Sequence, residues 1–346
     1  MDTEGIKSAF TYLHEATEKS AQALEMTYVE AIHETLQNLL LGSAQQINGA
    51  PDDQVIKELN NLYQKSQWQA LDQEAKHNII QWLLIEGVKK QEIQANYQAT
   101  PDAIALIIGY LAFRLVESNR NSLEKSINLF DPCFGTGNLW SLVAKTFTDQ
   151  DYQVLGAGVD NDDLMLSIGE KAMALLGLSP KLTLADALGD LLVDPCQVII
   201  ADLPIGYYPQ DQVAQTFKSG AKFIEEGSHA YAHYLLIEQG IHYLEDNAWG
   251  LFLVPKSTLT DPTLPQLMQG INETAYLQAF INLPQSLFQN EFSQKSILIL
   301  QKQGDRAKQS DQVLIGNIPD FKAVDDMKQF TSQFNDWLDK HIVNGE

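Results

Sequence analysis

Apolar residues recur at helical spacing from residue 9 to residue 42, "AFTYLHEATEKSAQALEMTYVEAIHETLQNLLLG", and the run closes on Gly42, a residue suited to a helix C-cap. A second helical run, "GAPDDQVIKELNNLYQKS", follows a Pro-Asp turn, and a third is "SQWQALDQEAKHNIIQWLLIEGVKK". No alternating β-branched stretch interrupts them. Residues 1–95 therefore predict a helical N-terminal domain. From residue 96 the periodicity changes. "ATPDAIALIIGYLAFRLVES" offers Thr100 as N-cap and Pro101 at the first helical position. Short apolar runs then alternate with helical ones. The predicted strands are "INLFDP", "YQVLGAGVD", "KLTLAD", "CQVIIADLP", "WGLFLVP", "LQAFINLP" and "KSILILQK". Between them lie helices such as "DDLMLSIGEKAMALLG" and "AYAHYLLIEQGIHYLED", and "FKAVDDMKQFTSQFNDWLDKHIV" closes the chain as an amphipathic helix. This alternation predicts βαβ units in a mostly parallel, seven-stranded, doubly wound sheet over residues 96–346.

In such sheets ligands bind beyond the carboxyl ends of the strands. Asp131, Asp160, Asp186 and Asp202 each follow an apolar strand there. "DPCFGTGNLW" joins a strand to a helix and carries Gly135 and Gly137, which let a ligand approach the backbone closely. A dinucleotide fingerprint requires a third glycine at position 140, where the chain has Trp140. The acid Asp131, four residues before the first glycine, suits a ligand with a cationic amino group and no phosphate. Asp160 lies 23 positions after Gly137, close to the spacing of a ribose-binding acid. Asp186, after the third strand, is placed to accept from an exocyclic adenine amine. These features point to S-adenosylmethionine.

Five segments in order extend that reading. "YQATPDAIA", "DPCFGTGNLW", "GVDNDDLMLSIGEKAMALLG", "ADLPIGYYP" and "LPQSLFQNEFSQKSILIL" resemble the N6-adenine-specific DNA methyltransferases, in particular the modification subunits of type I restriction systems, over residues 96–303. The resemblance implies a Rossmann-like class I methyltransferase in a small stand-alone form. It implies a cofactor-binding set of Tyr97, Thr100, Pro101, Asp131, Pro132, Gly135, Gly137, Asn138, Asp160, Asn161, Asp186 and Ala187. Asp202, Leu203, Pro204 and Ile205 stand where the family has its catalytic [DNS]-P-P-[YF] turn. The chain departs from the family twice, with Leu203 in place of proline and Ile205 in place of the aromatic that stacks on the target base. Tyr207 and Tyr208 are the rings close enough in sequence to replace that aromatic.

The chemistry of the turn stands apart from the match. An aromatic amine is a poor nucleophile because its lone pair is delocalised into the ring. A side-chain oxygen and a backbone carbonyl that accept its two N–H bonds favour the pyramidal geometry of the transition state. Asp202 and the Leu203 carbonyl are the matching groups, and catalysis is then positioning plus electrostatics. RNA adenine and a protein glutamine amide present a similar NH₂ group, so either is an alternative acceptor. A non-catalytic S-adenosylmethionine-binding protein is the reading from another class.

Composition narrows the partners. A net charge of −22 disfavours tight binding to duplex DNA by the chain alone, because phosphate neutralisation by Lys and Arg dominates such affinity. A specificity subunit or other partner on the helical N-terminal domain would supply attraction. Two cysteines, Cys133 and Cys196, cannot build a disulfide framework or a zinc site. The acidic start "MDTEGIKSAF" lacks the apolar core of a signal peptide, and "AIALIIGYLAFRLV" is too short to span a bilayer, so a cytoplasmic protein without membrane contact is expected. His229 and His233, spaced i and i+4, read as helix packing and not as metal ligands. Lys218 and Lys222 read as a solvated loop.

Overall fold

A computed structural model describes residues 3–91, 99–118, 125–288 and 290–343. The helices α1 (Thr3–Ala23), α2 (Tyr28–Leu41), α3 (Asp53–Ser66) and α4 (Gln73–Gln91) come first, followed by α5 (Asp102–Ser118). Strands and helices then alternate: β1 (Ser126–Asp131), α6 (Asn138–Thr148), β2 (Gln153–Asp160), α7 (Asp163–Leu175), β3 (Lys181–Leu184) and β4 (Cys196–Asp202). After them come α8 (Asp211–Ala214), α9 (Lys218–Glu225), α10 (Ala232–Tyr243), β5 (Leu244–Pro255), α11 (Leu264–Ile271), β6 (Ala275–Asn282), β7 (Lys295–Lys302), β8 (Leu314–Asn317) and α12 (Val324–Leu338). The chain divides into two compact units. One holds Met1–Ala99, Phe134–Ser141 and Asp160–Leu184; the other holds Thr100–Cys133, Leu142–Val159 and Ala185–Glu346.

In the first unit, α1 packs on α2 and α3, and α7 packs on α2 and α4. Leu13, Ala16, Ile32 and Leu36 are fully buried in this core. The single apolar run of residues 9–42 is two helices, because Thr27 caps the second. Its hydroxyl accepts from the Glu30 amide at 3.3 Å, and the Glu30 carboxylate accepts from the Thr27 amide at 2.7 Å. This reciprocal box satisfies donors that a continuous helix would not leave free. Gly42 closes α2 at φ 79°.

The second unit holds the strands other than β3, which falls in the first. The strand order is β3-β2-β1-β4-β5-β7-β6-β8. β1 pairs in parallel with β2 and β4, β4 with β5, and β6 with β8, while β7 runs antiparallel between β5 and β6. The sheet is thus mostly parallel. It has one strand more than the seven predicted, because "LIGN" adds β8 beside β6. β5 starts at Leu244, five residues before the predicted "WGLFLVP", and takes over the end of the helix expected through Asp246. The hydrophobic core of this unit includes Phe130, Val159, Ile199, Leu203, Tyr234, Leu235, Phe252 and Leu298. No helix of the described residues is long and apolar enough to cross a membrane.

Candidate active site

Asp131, Asp160 and Asp202 are the last residues of β1, β2 and β4, and Asp186 lies two residues beyond β3. Each sits at or just beyond the carboxyl end of a strand. Asp131 is 1% exposed, and its Oδ1 accepts from the Cys133 amide at 2.9 Å. This fixes the turn that leads into the glycines.

The glycine turn itself belongs to the first unit. Gly137 has φ +80°, and a Cβ there would fall 2.7 Å from the Phe134 ring and 2.9 Å from Met173 Cε. Only glycine fits both the conformation and the space. A Cβ on Gly135 would meet nothing within 4 Å, so one face of the turn is open. Asp160 grips this turn. Its Oδ2 accepts from the Gly135 amide at 2.7 Å and its Oδ1 from the Asp162 amide at 2.9 Å. Each oxygen keeps a lone pair, enough for the two hydroxyls of a ribose. Burial raises the Asp160 pKa, against the opposing effect of the two amides. Thr136 Oγ1 in the same turn is buried, with no partner among the described residues. Trp140, in place of the third glycine, is 2% exposed and lies against Phe134 with ring centroids 6.3 Å apart. The turn therefore presents carboxylate oxygens and an open glycine face, a set that fits S-adenosylmethionine.

The acid–proline turn lies in the second unit. Asp202 Oδ2 accepts from the Thr100 hydroxyl at 2.8 Å. Helix α5 begins after Thr100, with the Pro101 carbonyl accepting from the Ile104 and Ala105 amides at 2.9 and 3.0 Å. The expected cap residue thus reaches across 102 residues to the strand-end acid. Lys295 donates to Asp202 Oδ1 and, at 3.4 Å, to the Leu203 carbonyl. This lysine was not anticipated from the sequence. It opens β7, and because β7 is antiparallel its first residue lies at the edge where β4 and β5 end. A lone cation at the start of "KSILILQK" was its only local signal.

The two departures from the family turn have distinct surroundings. Leu203 is fully buried, and its amide donates to the Leu253 carbonyl at 3.3 Å, extending the β4–β5 ladder by a bond that proline cannot make. Ile205 is 39% exposed and presents no ring. Tyr207 is 61% exposed and stacks on Tyr231, with centroids 5.0 Å apart and planes 10° from parallel. Backbone bonds between Tyr208 and Ala230 and between Ala232 and Gly206 hold the two segments together. Tyr208 is turned inward, and its hydroxyl donates to Asp186 Oδ2 at 2.6 Å. Of the two tyrosines expected at the acceptor, Tyr207 alone offers a face; Tyr208 serves the acid assigned to adenine.

The remaining expected residues are dispersed. Pro132, Asn138 and Ala187 are buried, Asn161 and Pro101 are exposed, Pro204 is half-buried, and Tyr97 lies outside the described residues. His229 and His233 do not share a helix face. His229 precedes α10 and bonds Asp211 at 2.7 Å, whereas His233 is buried in the first turn of α10. Burial, with the nearby Lys295 charge, lowers the His233 pKa to about 4, so the imidazole is neutral at pH 7. Lys218 pairs with Glu273 at 2.5 Å and Lys222 with Glu226 at 3.7 Å.

Comparison with known proteins bears on the family and the fold. Residues 83–342 match the family model of the N-6 DNA methylases, and residues 7–88 match the YtxK N-terminal helical domain. The chain is 31% identical to the uncharacterised Bacillus subtilis (strain 168) protein YtxK, over 98% of this chain and 99% of that one. A crystal structure from Listeria monocytogenes, assigned to the class I S-adenosylmethionine-dependent methyltransferases, superposes with TM-score 0.86 at 30% identity, covering 97% of this chain and 99% of that one. The type I restriction-modification methyltransferase subunit from Streptococcus thermophilus shares the fold at TM-score 0.60 and 15% identity, over 95% of this chain and 74% of that one. A strand order with one antiparallel strand, a glycine turn held by a strand-end acid and these matches converge: the chain belongs to the N-6 DNA methylase family and is an S-adenosylmethionine-dependent methyltransferase.

Proposed function

We propose that the protein transfers a methyl group to the exocyclic N6 amine of adenine in DNA. One observation carries this reading. Asp202 Oδ1 and the Leu203 carbonyl both accept from one nitrogen, Lys295 Nζ. Two acceptors that meet on a single nitrogen are what a delocalised amine needs to become pyramidal. Thr100 holds the other Asp202 oxygen, so the carboxylate is fixed before any acceptor arrives. Such preorganisation avoids reorientation at the moment of transfer. The cofactor supplies the electrophilic methyl group. By their order in the chain, Gly135, Gly137 and Asp160 are assigned to its methionine and ribose, Asp186 to its adenine, and Asp202 to the acceptor. Tyr207 replaces the missing aromatic at Ile205 and stacks on the extruded base. Such a contact is worth about 1–3 kcal/mol, comparable to the few kcal/mol of flipping a base.

Asp202→Ala tests the assignment. S-adenosylmethionine affinity stays within about twofold, and methyl transfer falls about 100- to 1000-fold, the loss typical of one preorganised acceptor. Asp202→Asn is milder, because its amide oxygen still accepts. Single-turnover transfer to an adenine-containing single strand, with cofactor affinity measured by calorimetry, reads both quantities. Equal transfer by wild type and Asp202→Ala rejects the role.

A further inference from the structure

The contacts that make Asp202 and Leu203 a convincing acceptor pair also show that the pair is already engaged. Lys295 Nζ donates to the free oxygen of Asp202 and to the Leu203 carbonyl, and Thr100 takes the second carboxylate oxygen. The ion pair is shielded: the Lys295 side chain is 19% exposed and that of Asp202 20%. An ion pair this sheltered is screened far less than one on an open surface. An amine nitrogen that bridges Asp202 Oδ1 and the Leu203 carbonyl would occupy the position that Lys295 Nζ holds, so the two cannot bridge the pair together.

We propose that Lys295 is a built-in competitor for the acceptor amine, and that it selects acceptors carrying phosphate. The proposal rests on the adenine reading above. The backbone of Lys295 is fixed: it pairs with Pro255, and its carbonyl accepts from the Leu283 amide at 3.2 Å. Its four-carbon stem is flexible, so the ammonium leaves the turn without moving the strand. A released ammonium needs a new counterion. The neighbouring His233 is neutral at pH 7, and the Asp261 carboxylate that acts on it forms no ion pair with Lys295 among the described residues. A nucleotide strand brings phosphates with its base, and Lys295 exchanges Asp202 for one of them. Free adenosine brings none, and so has to displace the lysine without compensation.

Two measurements test this. In the first, kcat/KM is compared on adenosine and on a single-stranded adenine oligonucleotide. Lys295→Met raises the adenosine value about tenfold and narrows the preference for the oligonucleotide, the scale of removing a charge-assisted contact. Lys295→Arg retains the wild-type preference. An unchanged or lower adenosine value in Lys295→Met overturns the proposal. The second needs no acceptor. Lysine reductive methylation, read by peptide mass, leaves Lys295 protected in the wild type and labels it about tenfold faster in Asp202→Ala. Equal labelling overturns the proposal. If no chain methylates either acceptor, the adenine reading falls, and the labelling result alone upholds or rejects the competitor role. A 14 Da increase on the Lys295 peptide after incubation with S-adenosylmethionine alone identifies the lysine as an acceptor and overturns its role as competitor.

Discussion

Asp160 and Asp202 both end parallel strands, but their surroundings set them different tasks. Asp202 is held by a hydroxyl and an ammonium, whereas Asp160 accepts from backbone amides in a desolvated turn. Burial outweighs those amides and lifts its pKa above the ordinary value of 3.8. In the free protein the folded state then holds the proton more tightly than the unfolded chain. This contribution to stability is present at acid pH and is lost as pH rises from 3.8 through the raised value. Cofactor binding has the opposite dependence, since ribose hydroxyls donate to the ionised carboxylate. S-adenosylmethionine affinity is therefore flat near neutrality and declines as pH falls through the raised Asp160 value, before ordinary aspartates protonate. Calorimetry across that range checks it; an affinity that holds constant down to 3.8 contradicts the ribose role. Asp160→Ala lowers affinity at pH 7 by about 1.5–3 kcal/mol, the cost of a lost charge-assisted acceptor.

Thr27 shows how a local signal sets the boundary of a helix. The "TYVE" box splits the long apolar run, and Thr27→Ala removes one of its two reciprocal bonds. The expected cost is about 1 kcal/mol, a drop of a few degrees in Tm with cofactor affinity unchanged. Calorimetric melting alongside a binding isotherm checks both; an unchanged Tm rejects the cap. Features of this kind, along with the glycine turn and the strand-end acids, were legible because they depend on residues a few positions apart. The split at Thr27 was equally available, but helical periodicity on both sides masked it. β8 was missed because "LIGN" is four residues of alternating exposure, with too little apolar contrast to register. Lys295 was invisible for a different reason. Its meeting with Asp202, 93 residues away, depends on β7 running against its neighbours, and strand direction is a property of the sheet. Leu203 looked like a defect in the motif, and only the β4–β5 register shows its amide at work.

The charge of the chain bears on what it meets. At −22 it repels a polyanion at long range, and the two lysines nearest the acceptor loop in sequence are paired with Glu273 and Glu226. Attraction to DNA therefore does not rest on these two lysines. The chain alone is expected to bind a single-stranded oligonucleotide weakly and with little sequence preference. Each neutralised phosphate adds about 0.7 to the salt slope on a single strand, so binding that rests on one or two contacts is weak and falls only a few-fold as salt rises. Fluorescence anisotropy between about 50 and 200 mM salt measures that slope directly. A shallow slope with weak binding fits one or two phosphate contacts, Lys295 among them, and it predicts that Lys295→Met flattens the slope further. Tight duplex binding at physiological salt would instead require a basic surface that the average charge conceals. Neither result names the acceptor. For that, transfer of labelled methyl groups to DNA, RNA and protein fractions separates adenine in DNA from adenine in RNA and from glutamine, because all three present an NH₂ to the same two oxygens. Label in the protein fraction alone would retain Asp202 and Leu203 as the acceptor pair. It would remove Tyr207 as a base-stacking ring, since a glutamine amide has no aromatic face to cover.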